Sequence, residues 1–179
     1  MPPPPALPAD TARLTFHWWR DEDEPLAMAL WGDSRVTALI DARGTLDAEA
    51  VRQKLQAEIA RGRQHGLQYW PVFLRSTAAH AGCCGLRPYP TEPGVLELGF
   101  HLRAEHWGHG YATEAARSAI DHAFARLGAG ALFAGHHPKN GASRKALLKL
   151  GFRYTGDERY APTGLLHPSY RLDRPATDS

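Results

Sequence analysis

The sequence predicts a single α/β domain, and three observations support that prediction. Its 179 residues fall within the usual size of one domain, a length that can bury most of the surface exposed by an unfolded chain. Hydrophobic residues make up 43% and charged residues 22% of the chain, which is ordinary globular usage. Segments with strand-like alternation are interspersed with helical stripes of apolar residues. We therefore expect one packed core built from both helices and strands.

Composition and charge exclude several classes of protein. The net charge of +2 comes without a clustered run of Lys and Arg, which argues against a nucleic-acid partner. No stretch of about 18 apolar residues occurs, so we expect no membrane segment and a cytoplasmic location. Residues 1–9 carry five prolines but lack the basic and apolar regions of a signal peptide. The predicted organisation is a disordered Pro-rich tail (1–10), one domain (11–174) and a flexible C-terminus (175–179).

The N-terminal half reads as one strand, two helices and a hairpin. Alternation predicts a strand over 12–19, and the acidic cluster 21–24 with Pro25 predicts the start of a short helix over 26–31. Apolar residues at every fourth position predict an amphipathic helix over 45–61, with Gly62 beyond its end. Segments 69–74 and 81–86 then predict a hairpin, with Pro71 indicating an edge position or a bulge.

The C-terminal half alternates strands and helices. Residues 95–103 alternate clearly, with Glu97 opposite the stripe of leucines and Phe100. Residues 112–127 carry an almost unbroken helical stripe that ends at Gly128. The remaining predicted elements are strands over 131–135, 152–154 and 169–173, and a helix over 140–150 with Asn140 as its N-cap and Gly151 as its terminator.

The segment between the strand at 95–103 and the following helix has the features of an anion-binding turn. It contains Gly108 and Gly110 directly before a predicted helix N-terminus, where unpaired backbone N–H groups and the helix dipole favour a phosphate. A dinucleotide-binding fingerprint would need a third glycine at Thr113, and a phosphate-binding P-loop would need a Gly-Lys-Ser/Thr that this chain lacks. Both of those alternatives are therefore excluded.

Four segments in the second half of the chain form a distinctive series. They are Leu98-Gly99-Phe100-His101-Leu102, Trp107-Gly108-His109-Gly110-Tyr111-Ala112-Thr113-Glu114-Ala115, Asn140-Gly141-Ala142-Ser143 and Lys149-Leu150-Gly151-Phe152. In their order and spacing these segments resemble the GNAT superfamily of acetyltransferases, in particular its ribosomal-protein N-acetyltransferase (RimJ/RimL-like) branch. The resemblance spans about residues 12–173.

The resemblance implies a fold and a cofactor. The fold is a mixed, strongly twisted, seven-stranded sheet flanked by about four helices, and its two central strands, 95–103 and 131–135, splay apart to admit the pantetheine arm of acetyl-CoA. Backbone groups of the first splayed strand would pair with the pantetheine, and the glycine turn would bind the pyrophosphate. Where the superfamily usually has Gln or Arg, this chain has Glu105. The implied cofactor-binding residues are Phe100, His101, Leu102, Trp107, Gly108, His109, Gly110, Tyr111, Ala112, Thr113 and Asn140.

Transfer of an acetyl group to an amine needs a base for the ammonium and an acid for the leaving thiolate. By resemblance Glu97 is the base, its alternative being a carboxylate that is ion-paired with Arg87 or Arg103. His101, on the same face, is the second candidate base because an unperturbed histidine titrates near neutral pH.

The sequence offers several candidates for the acid that protonates the leaving thiolate. Many members of the family have a tyrosine where this chain has Leu147, so the role falls by resemblance to Ser143, with Tyr154 and Tyr160 as other candidates. The alternative for Ser143 is a residue that satisfies the first turn of its helix. Asn140 is either a plain cap or a cap that also bonds the cofactor.

The remaining signals are weaker. Adjacent strand residues point to opposite faces, so neither Cys83–Cys84 nor His136–His137 is expected to chelate, and no metal is predicted. Tyr160, His167 and Tyr170 surround the turn at 162–164 and form either a substrate wall or a packed corner. With no activated cysteine, we expect direct transfer in a ternary complex. The expected partner is an amine, on a protein N-terminus or a small molecule, and a homodimer is allowed for; the alternative function is a non-catalytic acyl-CoA-binding module.

Overall fold

The computed structural model describes residues 5–177, so residues 1–4 of the expected tail and 178–179 of the expected C-terminus lie outside the described residues. Within that range the chain forms one seven-stranded mixed sheet and five helices, of which α2 is a single short turn. The predicted fold class is therefore confirmed. The strands are β1 (Leu14–Phe16), β2 (Tyr69–Leu74), β3 (His80–Pro88), β4 (Val95–Leu102), β5 (Ala131–Gly135), β6 (Arg153–Tyr160) and β7 (Leu165–Asp173). The helices are α1 (Glu24–Trp31), α2 (Ser34–Thr37), α3 (Ala48–His65), α4 (Tyr111–Ala125) and α5 (Gly141–Lys149).

The sheet opens in its middle. Its strand order is β1-β2-β3-β4-β5-β7-β6, and every neighbouring pair is antiparallel except β4 and β5. Those two parallel strands pair only from Val95↔Ala131 to Glu97↔Phe133. Beyond Glu97, β4 stays paired with β3 as far as Leu102, while β5 stays paired with β7 as far as Gly135. The predicted splay is thus confirmed, and it leaves the inner edge of residues 98–102 without a strand partner.

Helix α3 shows how the sequence sets local structure. Asp47 caps its N-terminus by accepting a hydrogen bond from the N–H of Ala50, and Gly66 ends it in the left-handed conformation (φ 67°). The prediction that this helix ends before Gly62 is wrong. A Cβ at Gly62 would lie 2.7 Å from Nε2 of Gln68, so this glycine is explained by close packing and the helix continues to His65.

The predicted strands differ from the observed ones mainly at the edges of the sheet. Strand β6 extends to Tyr160 rather than ending at 154, and its exposed, polar residues carry no apolar alternation that could have predicted it. Pro71 lies in β2, an interior strand, so it is not at the edge of the sheet. It is one residue outside the ladder between β1 and Val72–Leu74. The register between β2 and β3 shifts at the next residues, Val72/Phe73. The bulge that Pro71 indicated is therefore present.

Two hydrophobic cores cover the two faces of the sheet. One packs α4 and α5 against the sheet and includes Cys84 and Leu98, and the other packs α1 and α3 around Trp31, Tyr69 and Cys83. The adjacent cysteines thus fill opposite cores as free thiols. Because both faces of β3 are covered, that strand is buried almost throughout.

Residues 5–10, which belong to the tail expected over 1–10, include positions that contact the domain. Pro8 is buried, Leu7 packs against the α4 core, and the hydroxyl of Ser118 donates to the carbonyl of Ala9 at 2.5 Å. Among the described residues, no helix is both long enough and apolar enough to cross a membrane.

Candidate functional site

Two cavities meet where the sheet splays. The larger, about 610 Å³, lies beside the glycine turn and is called the turn cavity; the smaller, about 290 Å³, lies along β4 and is called the strand cavity. Of the predicted cofactor-binding residues, all but His109 line the turn cavity, while Glu97 lines the strand cavity. The two cavities share part of their walls, so a ligand in one can contact a ligand in the other. The shared residues are Leu39, Ile40, Phe100, His101, Asn140 and Ser143.

The glycine turn presents bare backbone to the turn cavity. Gly108 and Gly110 are both left-handed (φ 79° and 78°), a conformation that glycine adopts without strain. Gly110 is the N-cap of α4 and offers no side chain to its first turn. The one carboxylate in that turn, Glu114, is held by Arg13 at 2.6 Å and by the hydroxyl of Thr11 at 2.7 Å. The first N–H groups of α4 are therefore free to bind an anion, with the helix dipole in their favour.

The walls of the turn cavity are positively charged. Its lining includes Arg35, Lys139, Lys145 and Lys149 and no carboxylate. Arg35 is paired with Asp33 at 2.6 Å, whereas Glu105 is paired with Arg103 at 2.8 Å and does not line the cavity. A cavity with this charge and an uncapped helix N-terminus suits a ligand that carries several phosphates.

Glu97 is an unpaired carboxylate in the strand cavity. Arg87 stands opposite it in the β3–β4 register, but Nη2 of Arg87 donates to Oε1 of the buried Glu58 at 2.6 Å. Since Arg103 pairs with Glu105, neither predicted ion pair of Glu97 forms, and it has no other in residues 5–177. Burial raises the pKa of Glu97 above its ordinary value and outweighs the opposing effect of Arg87. A half-buried carboxylate with a raised pKa has the properties of a general base.

His101 is poorly suited to act as a base. The indole N–H of Trp31 donates to its Nδ1 at 3.1 Å, so the lone pair of that nitrogen is already used and the proton of the neutral ring sits on Nε2. Burial lowers the pKa of His101 well below its ordinary value. The ring therefore stays neutral and is a hydrogen-bond donor toward any ligand.

Ser143 lies at the junction of the two cavities with a free hydroxyl. Oδ1 of Asn140 caps α5 by accepting from the backbone N–H of Ser143 at 3.1 Å. The capping alternative therefore involves the backbone of Ser143, because its hydroxyl has no hydrogen-bond partner within the described residues. Leu147, one turn later on the same helix, is buried and also lines the strand cavity.

Of the two tyrosines considered as acids, only one faces the site. Tyr154 is 56% exposed, bonds Asp157 at 2.9 Å and lines neither cavity. Tyr160 and His167 line the strand cavity, and Nε2 of His167 lies 2.7 Å from the hydroxyl of Thr163. Tyr170 is buried against His136 and lines neither cavity. Tyr160 and His167, on either side of the turn at 162–164, thus pack against each other and form part of the cavity wall, whereas the turn itself lines neither cavity.

The sequence did not identify the lysines around the site. Lys139, Lys145 and Lys149 are scattered, although the spacing of four on the predicted helix at 140–150 places the last two on one face. Lys54, on α3, also lines the strand cavity, and no local pattern connects it to β4. Only the tertiary fold brings these cations to the cavities.

Comparison with known proteins gives consistent matches. The family model described as "Acetyltransferase (GNAT) domain" matches residues 13–153. The protein named uncharacterized N-acetyltransferase p20 from Bacillus licheniformis is 29% identical over 146 residues, which is 82% of each chain.

Solved structures share the fold at lower identity. The ribosomal-protein-S5-alanine acetyltransferase of Vibrio fischeri superposes with a TM-score of 0.73 at 18% identity, covering 94% of this chain and 97% of that one. RimL, a ribosomal L7/L12 alpha-N-protein acetyltransferase solved in complex with coenzyme A, gives a TM-score of 0.75 at 16% identity and covers 93% and 97%.

Proposed function

The chain belongs to the GNAT family of acetyltransferases, and on that premise we propose that it moves the acetyl group of acetyl-CoA onto a primary amine. One observation carries the proposal: a phosphate-suited turn cavity opens, through the splay between β4 and β5, onto a second cavity that holds an unpaired carboxylate. A donor and an acceptor bound in the two cavities would meet beside Ser143. That arrangement is suited to direct transfer in a ternary complex.

The residues of the turn cavity fit acetyl-CoA. The uncapped N-terminus of α4 and the lysines of α5 supply donors and positive charge for its phosphates, and the free edge of residues 98–102 supplies backbone groups for its pantetheine amides. Acetyl-CoA supplies the activated acyl group as a thioester. The carbonyl of Leu102 already accepts from the indole of Trp107 at 3.0 Å, so Phe100 and His101 provide the freer part of that edge.

Two side chains would move the protons. Glu97 removes a proton from the incoming ammonium, directly or through a water, because an ammonium has no lone pair with which to attack. The freed amine attacks the thioester carbonyl, so a C–N bond forms and the C–S bond breaks. Ser143, at the junction of the cavities, passes its hydroxyl proton to the departing sulfur and regains a proton from the nitrogen as it becomes an amide. Neither cysteine is a candidate for a covalent intermediate, because burial raises the pKa of both thiols and keeps them protonated.

The acceptor is proposed only as a class. It is a primary amine on a protein N-terminus or on a small molecule, and the former is the acceptor named for the ribosomal L7/L12 alpha-N-protein acetyltransferase that shares the fold. A non-catalytic acyl-CoA-binding module would need the turn cavity but not Glu97, whose partial burial without an ion pair costs stability and would bring such a module no benefit.

The test is acetyl-CoA consumption, followed as free-thiol release, against a panel of N-terminal peptides, amino acids and polyamines, with binding of acetyl-CoA measured by calorimetry in parallel. Acetylation of at least one amine, confirmed by the mass of the product, is the expected result. Binding without turnover on any amine would favour the non-catalytic module, and absence of acetyl-CoA binding would overturn the proposal.

A further inference from the structure

Lys54 is a cation without a counterion in the strand cavity. It extends from α3, with its Nζ 5.4 Å from the centroid of the Trp31 ring, and it has neither an ion pair nor a hydrogen bond within residues 5–177. Burial and the neighbouring Arg87 guanidinium lower the pKa of Lys54 below its ordinary value. Such a group is stabilised by any anion that enters the cavity.

The charged residues at the inner wall of the strand cavity and directly behind it are more positive than negative. Glu58, which is 1% exposed, is shared by Arg61 at 2.8 Å and Arg87 at 2.6 Å, and the N–H of Tyr69 also donates to it. Two guanidiniums thus face one carboxylate. Lys54 then adds a positive charge and Glu97 a negative one, so three cations face two carboxylates. Nε of Arg87 is also buried without a hydrogen-bond partner in the described structure.

The outer part of the cavity does not reverse this balance. Glu158 accepts from the hydroxyl of Tyr89 and its neighbour Arg159 donates to the carbonyl of Gly164, so the rim carries one charge of each sign. Asp41, on the Lys54 side, is already paired with Arg43 at 2.9 Å. A purely cationic amine would therefore be repelled by the excess positive charge of the cavity. The repulsion would increase once Glu97 has taken up a proton, because one of the negative charges is then lost.

We propose that the acceptor is a small amine that also carries a carboxylate, as an amino acid does, and that Lys54 binds this carboxylate while Glu97 faces the amine. The inference rests on the proposed function and names the substrate class of the same site. A zwitterion enters with no net charge and neutralises Lys54. Glu97 is then left to take a proton from the ammonium, which gives the uncharged amine that attacks. The volume of about 290 Å³ is at the lower end of the range for small-ligand pockets, roughly 300–1,000 Å³.

The test compares matched acceptors that differ in the carboxylate alone. Several amino acids are assayed beside their carboxamides and their decarboxylated amines, and peptides that begin with Asp are assayed beside peptides that begin with Asn. In the wild type we expect kcat/KM for the amino acid to exceed that of its carboxamide by about tenfold or more, although the carboxamide has the less basic amine. Lys54→Met should lower kcat/KM for the amino acid by about 10- to 100-fold, the usual worth of a hydrogen bond to a charged group, and should change the carboxamide little.

Two control variants isolate the role of Lys54. Lys54→Arg should keep most of the preference, and Arg126→Met, which removes an exposed charge outside both cavities, should leave it unchanged. Since Lys54 is an unpaired cation, Lys54→Met should fold with an unchanged or raised Tm. Calorimetric binding of the amino acid to the protein saturated with CoA should weaken in Lys54→Met and not in Arg126→Met.

Each outcome decides the inference. Equal or better use of the carboxamides, an equal effect of Lys54→Met on both members of a pair, or no binding of any carboxylate ligand at millimolar concentration would overturn it. Lys54-dependent preference for Asp-peptides over free amino acids would support the role of Lys54 as a carboxylate site but overturn the small-molecule acceptor, and would assign the carboxylate to an acidic N-terminal residue. The proposed function stands or falls separately, on acetyl-CoA binding and on turnover with any amine.

Discussion

Glu97 and Ser143 are the two residues on which the proposed chemistry depends, and each is left without a side-chain partner by its surroundings. Arg87, the cross-strand neighbour of Glu97, donates to Glu58 instead and so does not pair with Glu97. The hydroxyl of Ser143 is free because the cap of α5 is made by the backbone N–H of Ser143, which donates to Asn140. Both groups line a cavity without a partner in the protein, so both are available to a ligand that enters it.

Glu97→Gln should lower kcat by roughly 10²–10⁴, the usual contribution of one positioned base, with little change in acetyl-CoA affinity. The pKa of Glu97 is raised, so the active, ionised form is lost as pH falls through a value above that of an ordinary glutamate, and this acidic limb of the pH–rate profile should disappear in the variant. Glu158→Gln, at the rim, should keep the limb. Less than about tenfold loss with the limb intact would reject Glu97 as the base.

Ser143→Ala should lower kcat more than it lowers acetyl-CoA affinity, because a group that protonates a developing thiolate acts in the transition state. Stability should not change, since the lost hydroxyl makes no hydrogen bond in the described structure. Asn140→Ala, by contrast, removes the cap of α5 and should cost about 1 kcal/mol of stability. Unchanged turnover in Ser143→Ala would move the acid role to Tyr160.

Site residues could be predicted from the sequence when the pattern that marks them lies within one short segment. Glu97, Ser143 and the two glycines lie in segments whose order along the chain is itself informative. Lys54 and Glu58 come from α3, more than 30 residues before β4, so no local pattern linked them to the site. The network formed by Glu58, Arg61 and Arg87 decides whether Glu97 is paired, and it exists only in three dimensions.

At the scale of elements, the join between β4 and α4 is the central feature. The strand ends at Leu102, a short 3₁₀ turn over Ala104–His106 follows, and two left-handed glycines redirect the chain into α4. Arg13, directly before β1, holds the start of the helix, since its guanidinium pairs with Glu114 and lies 4.5 Å from the centroid of the Tyr111 ring. The end of α4 that is proposed to bind phosphate is therefore fixed by contacts within the protein.

Gly110→Val should weaken acetyl-CoA binding by at least tenfold while the protein still folds. A side chain there is strained at φ 78°, and it would stand among the N–H groups proposed to bind the pyrophosphate. Gly128→Val is the matched control, since Gly128 has a similar φ of 69°, no atom within 4 Å of an added Cβ, and a position outside both cavities. Equal affinity in wild type and Gly110→Val, by calorimetry, would show that the turn is not the phosphate site.

The bounds of a strand or helix were predicted well where at least one of its faces is buried. They were predicted less well where neither face is buried. Strands β2 and β5 have their predicted bounds because apolar residues run through them, whereas β6, polar and exposed on the edge of the sheet, gave no such signal. The short helix α2 was not predicted, because a single turn has too few residues to show a helical stripe.

For the whole molecule, the two cores on opposite faces of the sheet make stability a property of both halves of the chain. His80, at the start of β3, is 3% exposed and lies between the rings of Trp19 and Phe73. Burial lowers the pKa of His80 to about 4. The folded protein therefore binds this proton less readily than the unfolded chain does.

Stability should consequently fall as pH falls from about 6.5 toward 4, where the unfolded chain takes up the proton and the folded protein does not. His80 should account for a loss on the order of 3 kcal/mol between those values. In His80→Leu, urea unfolding at pH 8 and pH 4 should show a correspondingly smaller difference, and comparing each protein with itself removes the packing cost of the substitution. Parallel pH dependence in both proteins would contradict the prediction.

The residues that line the two cavities are unevenly distributed along the chain. The inner wall of the strand cavity comes from residues before position 90, among them Lys54, Tyr69 and Arg87, whereas most of the turn cavity comes from residues 100–149. Substitutions at these few early positions would therefore alter the inner wall of the strand cavity while leaving Glu97, Tyr160 and the glycine turn in place. The same division makes the molecule a natural subject for chimeras, in which the first half of one relative is joined to the second half of another at the hairpin between β3 and β4.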